Sequence, residues 1–179
     1  MAERKKEIYQ NIIRILRDLN IPFEEIEHPP VNSCEDSDKY RRQAGWEGVG
    51  SKNILFHAKG KFFLVVTTAD KRIKARLFKK EFGTKNIRFA TKEEVAEVTG
   101  CEIGALPPFG YLNSELPIYI DETVFGYDYF MFNPALHNKS LRIEAAALKK
   151  VYRYAKQVVK AFRIEEGGVK FSPCNQSQK

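Results

Sequence analysis

The sequence predicts one α+β domain, and three observations carry that prediction. A chain of 179 residues is long enough to bury the core of one domain. Apolar residues recur at helical spacing near both ends of the chain, over 3–19 and 144–162. Between these stretches lie several short apolar runs bounded by turn residues, as in sheet strands. We therefore expect the domain over 1–168, followed by a polar, flexible tail over 169–179.

The first part of the chain predicts a helix, a strand and a second helix. Pro22 ends the first helix, and residues 22–27 could form a short strand. Ser33 has an acidic residue three positions later, a capping box that opens a short helix toward Arg42. Residues 43–51 hold too many glycines for a regular element and predict a loop.

A β-hairpin is the centre of the predicted sheet. Two apolar runs, Ile54–Ala58 and Phe62–Val66, flank the turn residues Lys59 and Gly60. Lys52 lies just before the first run, where its amine could point into a pocket from the rim of the sheet. A solvated lysine ahead of a strand is the ordinary alternative.

The middle of the chain predicts a basic helix, a strand and a capped helix. The basic helix covers residues 71–82 and ends at Gly83. It carries Lys71, Arg72, Lys74, Arg76, Lys79 and Lys80. Such a run is usually a solvated face, and a phosphate-binding face is the alternative. A strand over 86–90 and a capping box at Thr91 follow.

The last part of the chain predicts three strands and a long helix. The strands cover 116–121, 127–132 and 140–143. The helix over 144–162 has the clearest helical periodicity in the sequence. Two glycines at 167 and 168 then end the predicted fold.

The charge balance indicates what the chain could meet. It has 30 Lys and Arg against 23 Asp and Glu, a net charge of +7, which favours a polyanionic partner. A long apolar run and a secretory leader are both missing from the sequence, so we expect a cytoplasmic protein with no membrane partner. The three cysteines lie far apart, so we expect free thiols and no metal site, disulfide or cofactor.

Candidate catalytic groups are scattered along the chain, and the common catalytic motifs are absent. His28 precedes two prolines and predicts a structural role, with a place in a pocket as the alternative. His137 lies in a predicted loop, and we expect it to be the histidine closest to a ligand. Cys101 is interpreted as a small, buried and inert thiol. Asp121 ends a predicted strand, where it could form a turn or pair with a lysine.

The glycine- and proline-rich stretch Gly100–Gly110 predicts a rigid, exposed loop. Gly104 would let a ligand approach the main chain closely. The amides and carbonyls of the loop could then hold a small polar group at little entropic cost. On spacing alone, the stretch is an ordinary tight turn.

Two motifs, and their order along the chain, resemble those of the YbaK/prolyl-tRNA synthetase-associated domain family. Lys52–Phe56, followed by Phe62–Val66, resembles the Lys-Asn strand pair of that family, and Gly100–Gly110 is similar to its Gly-x-x-x-Pro loop. Supporting matches are His28-Pro29-Pro30 with Ser33 and Glu35, Ile118–Asp121, and Asn138–Ile143. The resemblance covers about residues 20 to 160.

The resemblance implies a fold and an activity. The fold would be a mixed, mostly antiparallel, curved sheet with flanking helices. The activity would be hydrolysis of a mischarged aminoacyl-tRNA, typically tRNA(Pro) carrying alanine or cysteine. The chain would act in trans as a monomer of the alanine-editing branch, on the acceptor end of the tRNA, with prolyl-tRNA synthetase as a further partner. In this family a vicinal ribose hydroxyl is thought to activate the water, so no catalytic triad is needed.

Taken residue by residue, the resemblance implies a catalytic role for Lys52. It implies substrate binding by Asn53, Gly104, Ala105, Leu106, Pro107, Pro108, Asn133 and His137. The pocket could also include His28, Ser33 and Asp121, and phosphate contacts would come from Lys71, Arg72, Lys74, Arg76 and Lys79.

One position departs from the family pattern. Asn133 stands where many relatives have a histidine before the proline, so Asn133 takes over that role or the role is lost. Two alternatives stay open, and this difference favours the first of them. One is a catalytically silent member that binds tRNA or a free amino acid. The other is a basic nucleic-acid-binding domain with a continuous positive face and no amino-acid pocket.

Overall fold

A nine-stranded sheet organises the computed structural model, which describes residues 1–175. In chain order the strands are β1 (Phe23–Glu27), β2 (Val49–Ala58), β3 (Lys61–Thr68), β4 (Ile87–Phe89), β5 (Ile118–Asp121), β6 (Tyr129–Phe132), β7 (Lys139–Glu144), β8 (Val159–Glu165) and β9 (Gly168–Pro173). The helices are α1 (Ala2–Asp18), α2 (Cys34–Gln43), α3 (Lys92–Thr99) and α4 (Ala147–Arg153). Two 3₁₀ turns span Ala75–Phe78 and Glu122–Gly126.

The sheet is mixed and mostly antiparallel, which confirms the expected fold class. Its strand order is β1-β7-β6-β2-β3-β5-β8-β9, and β4 pairs with Phe56–Ala58 of β2, beyond the part of β2 that pairs with β6. The pairings β2–β6, β3–β5 and β5–β8 are parallel, and the others are antiparallel. The predicted hairpin is the β2–β3 pair at the centre of this order.

The two faces of the hairpin are covered by different parts of the chain. Leu64 and Val66 pack on one face, in the larger hydrophobic cluster that includes the buried side of α1. Phe56 and Val65 pack on the other face, with Phe78 of the first 3₁₀ turn. Because successive residues of a strand project to opposite faces, this alternation decides which face each residue of the hairpin serves.

The capping signals in the sequence are confirmed. Ser33 caps α2, and its hydroxyl accepts a hydrogen bond from the Asp36 amide at 3.1 Å. Thr91 and Glu94 form a complete capping box at the start of α3. Each side-chain cap satisfies an amide that the helix itself leaves without a partner, so these helices begin where the sequence indicates.

The predicted basic helix over 71–82 is wrong. Only the short 3₁₀ turn is helical there, because the aromatic residues of this stretch are spread out over the sheet. Phe78 and Phe82 lie edge-on against Tyr119 of β5, with ring centroids 5.9 and 5.3 Å apart. Tertiary packing therefore overrides local helix propensity.

The predicted helix over 144–162 is wrong beyond its first half. Helix α4 ends at Arg153, and residues 159–165 form β8 beside β5. Two adjacent valines at 158 and 159 favour a strand, although the apolar spacing also fits a helix. Pairing with β5 satisfies the backbone hydrogen-bonding groups of β8 and favours the strand over the helix.

The fold continues past the two glycines that the sequence analysis placed at its end. Strand β9 pairs antiparallel with β8, so residues 169–173 of the expected flexible tail belong to the sheet. The last part of that tail, residues 176–179, lies outside the described residues. Strand β2 also begins at Val49, inside the stretch predicted as a loop. Across residues 1–175, the helices are too short or too polar to cross a membrane.

Candidate functional site

The stretch Gly104–Gly110, called the Gly104 loop below, is held by side chains from three directions. Its carbonyl oxygens at Leu106, Pro107 and Pro108 accept hydrogen bonds from Asn53 Nδ2, Tyr111 Oη and Tyr152 Oη, at 2.6, 2.5 and 2.9 Å. The loop is therefore rigid, as predicted. It is not exposed as predicted, because residues 105–110 are buried. These three carbonyls already have partners and are not open to a ligand.

The two tyrosines under the loop are permanent donors. Burial raises the pKa of Tyr111 and of Tyr152 well above the ordinary phenol value. Both hydroxyls therefore stay protonated at neutral pH and continue to donate to the loop carbonyls.

Helix α1 braces the far end of the loop. Asn11 Nδ2 donates to the Gly110 carbonyl at 2.8 Å. Gly110 has φ +95°, and a Cβ at this position would lie 2.3 Å from Ile12 Cγ1. Helix α1, for which no role in the site was predicted, fixes the loop in place.

Gly104 lies against the segment that leads into α2. It has φ +91°, and a Cβ there would lie 2.5 Å from the carbonyl oxygen of Asn32. Only glycine permits both this backbone conformation and this approach. The Gly104 loop and the start of α2, with Ser33, are therefore adjacent.

His137 connects the same two parts of the chain. Its Nδ1 lies 2.6 Å from the carbonyl oxygen of Val31, and its Nε2 lies 2.9 Å from Glu102 Oε2. Lys5 also pairs with Glu102 and lowers the pKa of that carboxyl against the effect of desolvation, with a smaller contribution from His137. Both ring nitrogens of His137 thus contact protein groups.

Asn133 belongs to a buried polar network under α2. Its Oδ1 accepts from Ser37 Oγ at 3.1 Å and from Arg41 Nη2 at 3.2 Å, and its Nδ2 donates to the Lys139 carbonyl at 2.8 Å. Arg41 is 1% exposed. The side chain of Asn133 is therefore engaged inside the fold, and it orients α2.

His28 joins this network at its other end. Its Nε2 lies 2.9 Å from Ser140 Oγ, which also accepts from Arg41 Nε at 3.0 Å. The ring stacks on Tyr40, with centroids 5.2 Å apart. His28 thus has a structural role. Sequence reasoning missed Ser37, Arg41 and Ser140, although the four-residue spacing of Ser37 and Arg41 on α2 was a usable signal.

Lys52 lies on the opposite face of β2 from the Gly104 loop. Its neighbour Asn53 bonds to the loop, and successive residues of a strand project to opposite faces. Lys52 Nζ donates to the carbonyl of Lys71 at 3.0 Å. Within residues 1–175, Lys52 forms no ion pair with a carboxylate, so its charge is not neutralised.

Asp121 pairs with a different lysine. Its Oδ2 accepts from Lys71 Nζ at 2.8 Å and from Thr67 Oγ1 at 2.7 Å. Burial alone would raise the pKa of Asp121, but the hydrogen bonds from Lys71, Thr123 and Thr67 lower it below its ordinary value. Asp121 also caps the second 3₁₀ turn. It is therefore both the turn former and the lysine partner that the sequence allowed.

The remaining cations of the basic stretch face solvent. They are Arg72, Lys74, Arg76, Lys79 and Lys80. None of them pairs with a carboxylate of the described chain. These cations follow Lys71 in the chain, and the Lys71 carbonyl accepts a hydrogen bond from Lys52. The cationic surface therefore begins beside Lys52.

Two polar atoms beside the loop are buried and have no hydrogen-bond partner among the described residues. They are Asn53 Oδ1 and Thr68 Oγ1. Thr68 lies opposite Ser51 in the β2–β3 register, and Ser51 Oγ accepts from Asn53 Nδ2 at 3.2 Å. Such atoms are costly in a folded protein, and both are enclosed here, so a ligand could bond to them only after the side chains around them move.

The structure brings together part of the predicted site. Asn53, the Gly104 loop, His137 and the segment before Ser33 are adjacent, whereas Lys52 and Asp121 lie on the other face of the hairpin. Cys101 is buried, and burial raises the pKa of its thiol to about 12, which agrees with the inert role predicted for it. The arrangement defines an α+β domain with a small polar site beside a cationic surface.

The chain belongs to the aminoacyl-tRNA editing domain family, whose model matches residues 28–151. It is 28% identical over 143 residues to the Multifunctional Ser/Thr-tRNA deacylase ProXp-y of Escherichia coli K12, covering 77% of this chain and 84% of that protein. It is 24% identical over 159 residues to the Prolyl-tRNA editing protein ProX of Acetoanaerobium sticklandii, covering 87% and 96%.

The chain is also similar to part of a synthetase in sequence and to a solved structure in fold. The chain is 30% identical over 103 residues to a proline–tRNA ligase of Staphylococcus aureus, covering 58% of this chain and 18% of the ligase. A crystal structure described as a proposed trans-editing enzyme for prolyl-tRNA synthetase superposes with a TM-score of 0.67 at 23% identity, covering 85% of this chain and 94% of that one. The superposition shows the fold, and it agrees with the family that the two motifs indicated.

Proposed function

We propose that this chain hydrolyses the ester bond of a mischarged aminoacyl-tRNA in trans. The substrates that its motifs favour are Ala-tRNA(Pro) and Cys-tRNA(Pro). The observation that carries the proposal is the charge of Lys52, which is left unneutralised one residue away from the side chain that holds the Gly104 loop. A cation at the rim of a small polar site suits a small acyl group on an anionic polymer.

Such an activity answers a physical limit on synthetase specificity. A pocket shaped for proline cannot strongly reject a smaller amino acid, so a second site has to remove the error. The likeness of this chain to a segment of a proline–tRNA ligase supports prolyl-tRNA synthetase as the enzyme whose errors are removed. The E. coli relative is named for Ser/Thr-tRNA, so seryl and threonyl esters belong in any test.

Lys52 would supply positive charge to the reaction. Its ammonium has three N–H donors, and one of them is used on the Lys71 carbonyl. The other two could bind the phosphate of the terminal adenosine, because Lys52 lies on the opposite face of the hairpin from the Gly104 loop. A phosphate held in this way would fix the position of the ester beside the loop.

The unpartnered atoms beside the loop would bind the aminoacyl group. Asn53 Oδ1 and Thr68 Oγ1 can each accept a hydrogen bond, and the α-ammonium of an aminoacyl ester is a donor. Hydrogen bonds from a charged donor are about twice as strong as neutral ones. The rigid Gly104 loop would limit the size of the side chain beside them, because its main chain is already held by three hydrogen bonds.

The test is to compare Lys52→Ala with Lys61→Ala, an exposed lysine at the other end of the same hairpin. We expect Lys52→Ala to lower kcat/KM for Ala-tRNA(Pro) by about 10²-fold, the cost of a substrate misplaced by about 1 Å. Lys61→Ala should match the wild type. Both variants should unfold near the wild-type temperature. Full activity in Lys52→Ala would refute this mechanism.

A second measurement tests the cationic surface. Binding of tRNA should weaken steeply as the salt concentration rises, because phosphate contacts release counterions. Removing one of Arg72, Lys74, Arg76 or Lys79 should reduce that slope by about one. A flat salt response would exclude these residues as phosphate contacts.

A catalytically silent binder is the second candidate, and Asn133 is the observation behind it. Its amide is committed to Ser37, Arg41 and Lys139, so it does not substitute for a ligand-facing histidine in this arrangement. A silent binder would retain tRNA affinity and hydrolyse no aminoacyl-tRNA. The activity comparison above separates the two candidates.

A further inference from the structure

An aromatic side chain stands exposed on the same face of the sheet as Lys52. Phe89 of the edge strand β4 is 63% exposed, although it is a large apolar residue. It lies directly opposite Phe56 in the β2–β4 register. Phe56 and Lys52 are four residues apart on β2, so they project to one face, roughly 13 Å apart along the strand.

The ring of Phe89 is held in a fixed orientation. It stacks on Phe56 with centroids 5.3 Å apart and an interplanar angle of 21°. Phe56 is fully buried and in turn lies 6.0 Å from Phe78 in the first 3₁₀ turn. One face of the Phe89 ring thus rests on the core, and the exposed part can accept a planar group without a loss of side-chain freedom.

Exposed cations lie on the 3₁₀ turn that supports this aromatic stack. Phe78, which supports Phe56, lies in the 3₁₀ turn that Lys74 and Lys79 flank, and Arg76 lies within that turn. These three side chains are exposed and form no ion pair within residues 1–175. The same stretch starts at Lys71, next to Lys52. Cations that follow a backbone, together with an aromatic ring on which a base stacks, are the usual features of a single-strand nucleic-acid surface.

We propose that Phe89 is a stacking platform for an unpaired base of the 3′ end of the tRNA. The inference rests on the proposed function, because that end carries the aminoacyl ester. The unpaired nucleotides next to the ester would run from Lys52 over the stretch 71–79 that covers this face of β2, with their phosphates toward Lys74 and Arg76 and one base on Phe89. Stacking tolerates any base, so this platform positions the end of the tRNA and does not read its sequence.

The experiment measures Kd for uncharged tRNA(Pro) and for the same tRNA without its unpaired 3′ nucleotides. We expect Phe89→Ala to weaken binding of the intact tRNA by about 5- to 150-fold, the range found when a stacking ring is removed. Phe89→Trp should keep the affinity. Phe89→Leu, which keeps the apolar contact with Phe56, should behave as Phe89→Ala does. The truncated tRNA should bind all four proteins equally.

Two controls make the result specific. Tyr154 is a similarly exposed aromatic residue, 64% exposed, beyond the end of α4, and Tyr154→Ala should leave Kd unchanged. Thermal unfolding of each variant excludes a damaged fold. Equal affinity of wild type and Phe89→Ala for intact tRNA would overturn the platform, as would a loss of affinity in Tyr154→Ala alone.

The platform and the deacylase activity can fail separately. Hydrolysis of aminoacyl-tRNA with the same KM in wild type and Phe89→Ala would overturn the platform and leave the proposed function intact. A wild type that hydrolyses no aminoacyl-tRNA would refute the proposed function, and the Kd comparison would still decide the platform. Within the active enzyme we expect Phe89→Ala to raise KM more than it lowers kcat, since the ring lies away from the ester.

Discussion

Replacing Gly104 by alanine should damage the site far more than the fold. The new Cβ would lie 2.5 Å from the Asn32 carbonyl oxygen, and ordinary contacts begin at 3.4 Å, so the loop or the segment before α2 must move by 3.4 − 2.5 = 0.9 Å. A misplacement of about 1 Å in an active site can cost about 10²-fold in rate. The positive φ of +91° adds backbone strain of about 1–2 kcal/mol.

The matched control is Gly60→Ala in the β2–β3 turn. Gly60 has a similar φ of +71°, but its added Cβ would meet no atom within 4 Å. The positive φ should cost both variants about 1–2 kcal/mol in urea unfolding, and the contact with Asn32 should make the loss larger in Gly104→Ala. Only Gly104→Ala should lose about 10²-fold in kcat/KM for deacylation. The reasoning is refuted if the two variants hydrolyse aminoacyl-tRNA at the same rate, or if Gly60→Ala is the less active one.

Two further predictions concern groups that hold the site. Tyr152→Phe leaves the buried Pro108 carbonyl without its donor and should lower the free energy of unfolding by about 1–3 kcal/mol. Each kcal/mol corresponds to a fall in Tm of about 2–4 °C. Tyr154→Phe, at an exposed position, should unfold at the wild-type temperature, and equal Tm values for the two variants would contradict a stabilising role of the Tyr152 hydrogen bond. Asp121 has a lowered pKa in the fold, so its stabilising effect is present above the pKa of the unfolded carboxyl and is lost as the pH falls through the folded value. Asp121→Asn should therefore reduce stability at pH 7 and flatten its fall in acid, measured as urea midpoints against pH. Exposed Asp70→Asn should follow the wild-type curve, and an unchanged curve for Asp121→Asn would exclude the Lys71 pair as its cause.

Local signals in the sequence placed most of the sheet and the capped helices. The hairpin and the cap at Thr91 rest on interactions among residues close in the chain, and each was found where its pattern indicated. The two helices that failed, over 71–82 and 144–162, depend on distant partners. Their aromatic and β-branched residues pack on or extend the sheet, and periodicity alone does not reveal that choice.

The site was predictable in its parts and not in its geometry. The motifs indicated Lys52, Asn53 and the loop, but they could not show that alternation along β2 places Lys52 and Asn53 on opposite faces. The loop is held by Tyr111, the next residue in the chain, and by Tyr152, which lies 44 residues from Pro108. The network around Arg41 joins α2 to β7 and was invisible without the fold.

The most direct test of the account is a panel of aminoacyl-tRNAs incubated with the wild-type chain. Ala-tRNA(Pro), Cys-tRNA(Pro), Ser-tRNA and Thr-tRNA should be compared with correctly charged Pro-tRNA(Pro), and release of the amino acid should be followed over time. We predict hydrolysis of at least one mischarged substrate, most readily Ala-tRNA(Pro) or Cys-tRNA(Pro), with Pro-tRNA(Pro) left intact. Binding of tRNA without release of any of these amino acids would contradict it and would identify the chain as a silent binder.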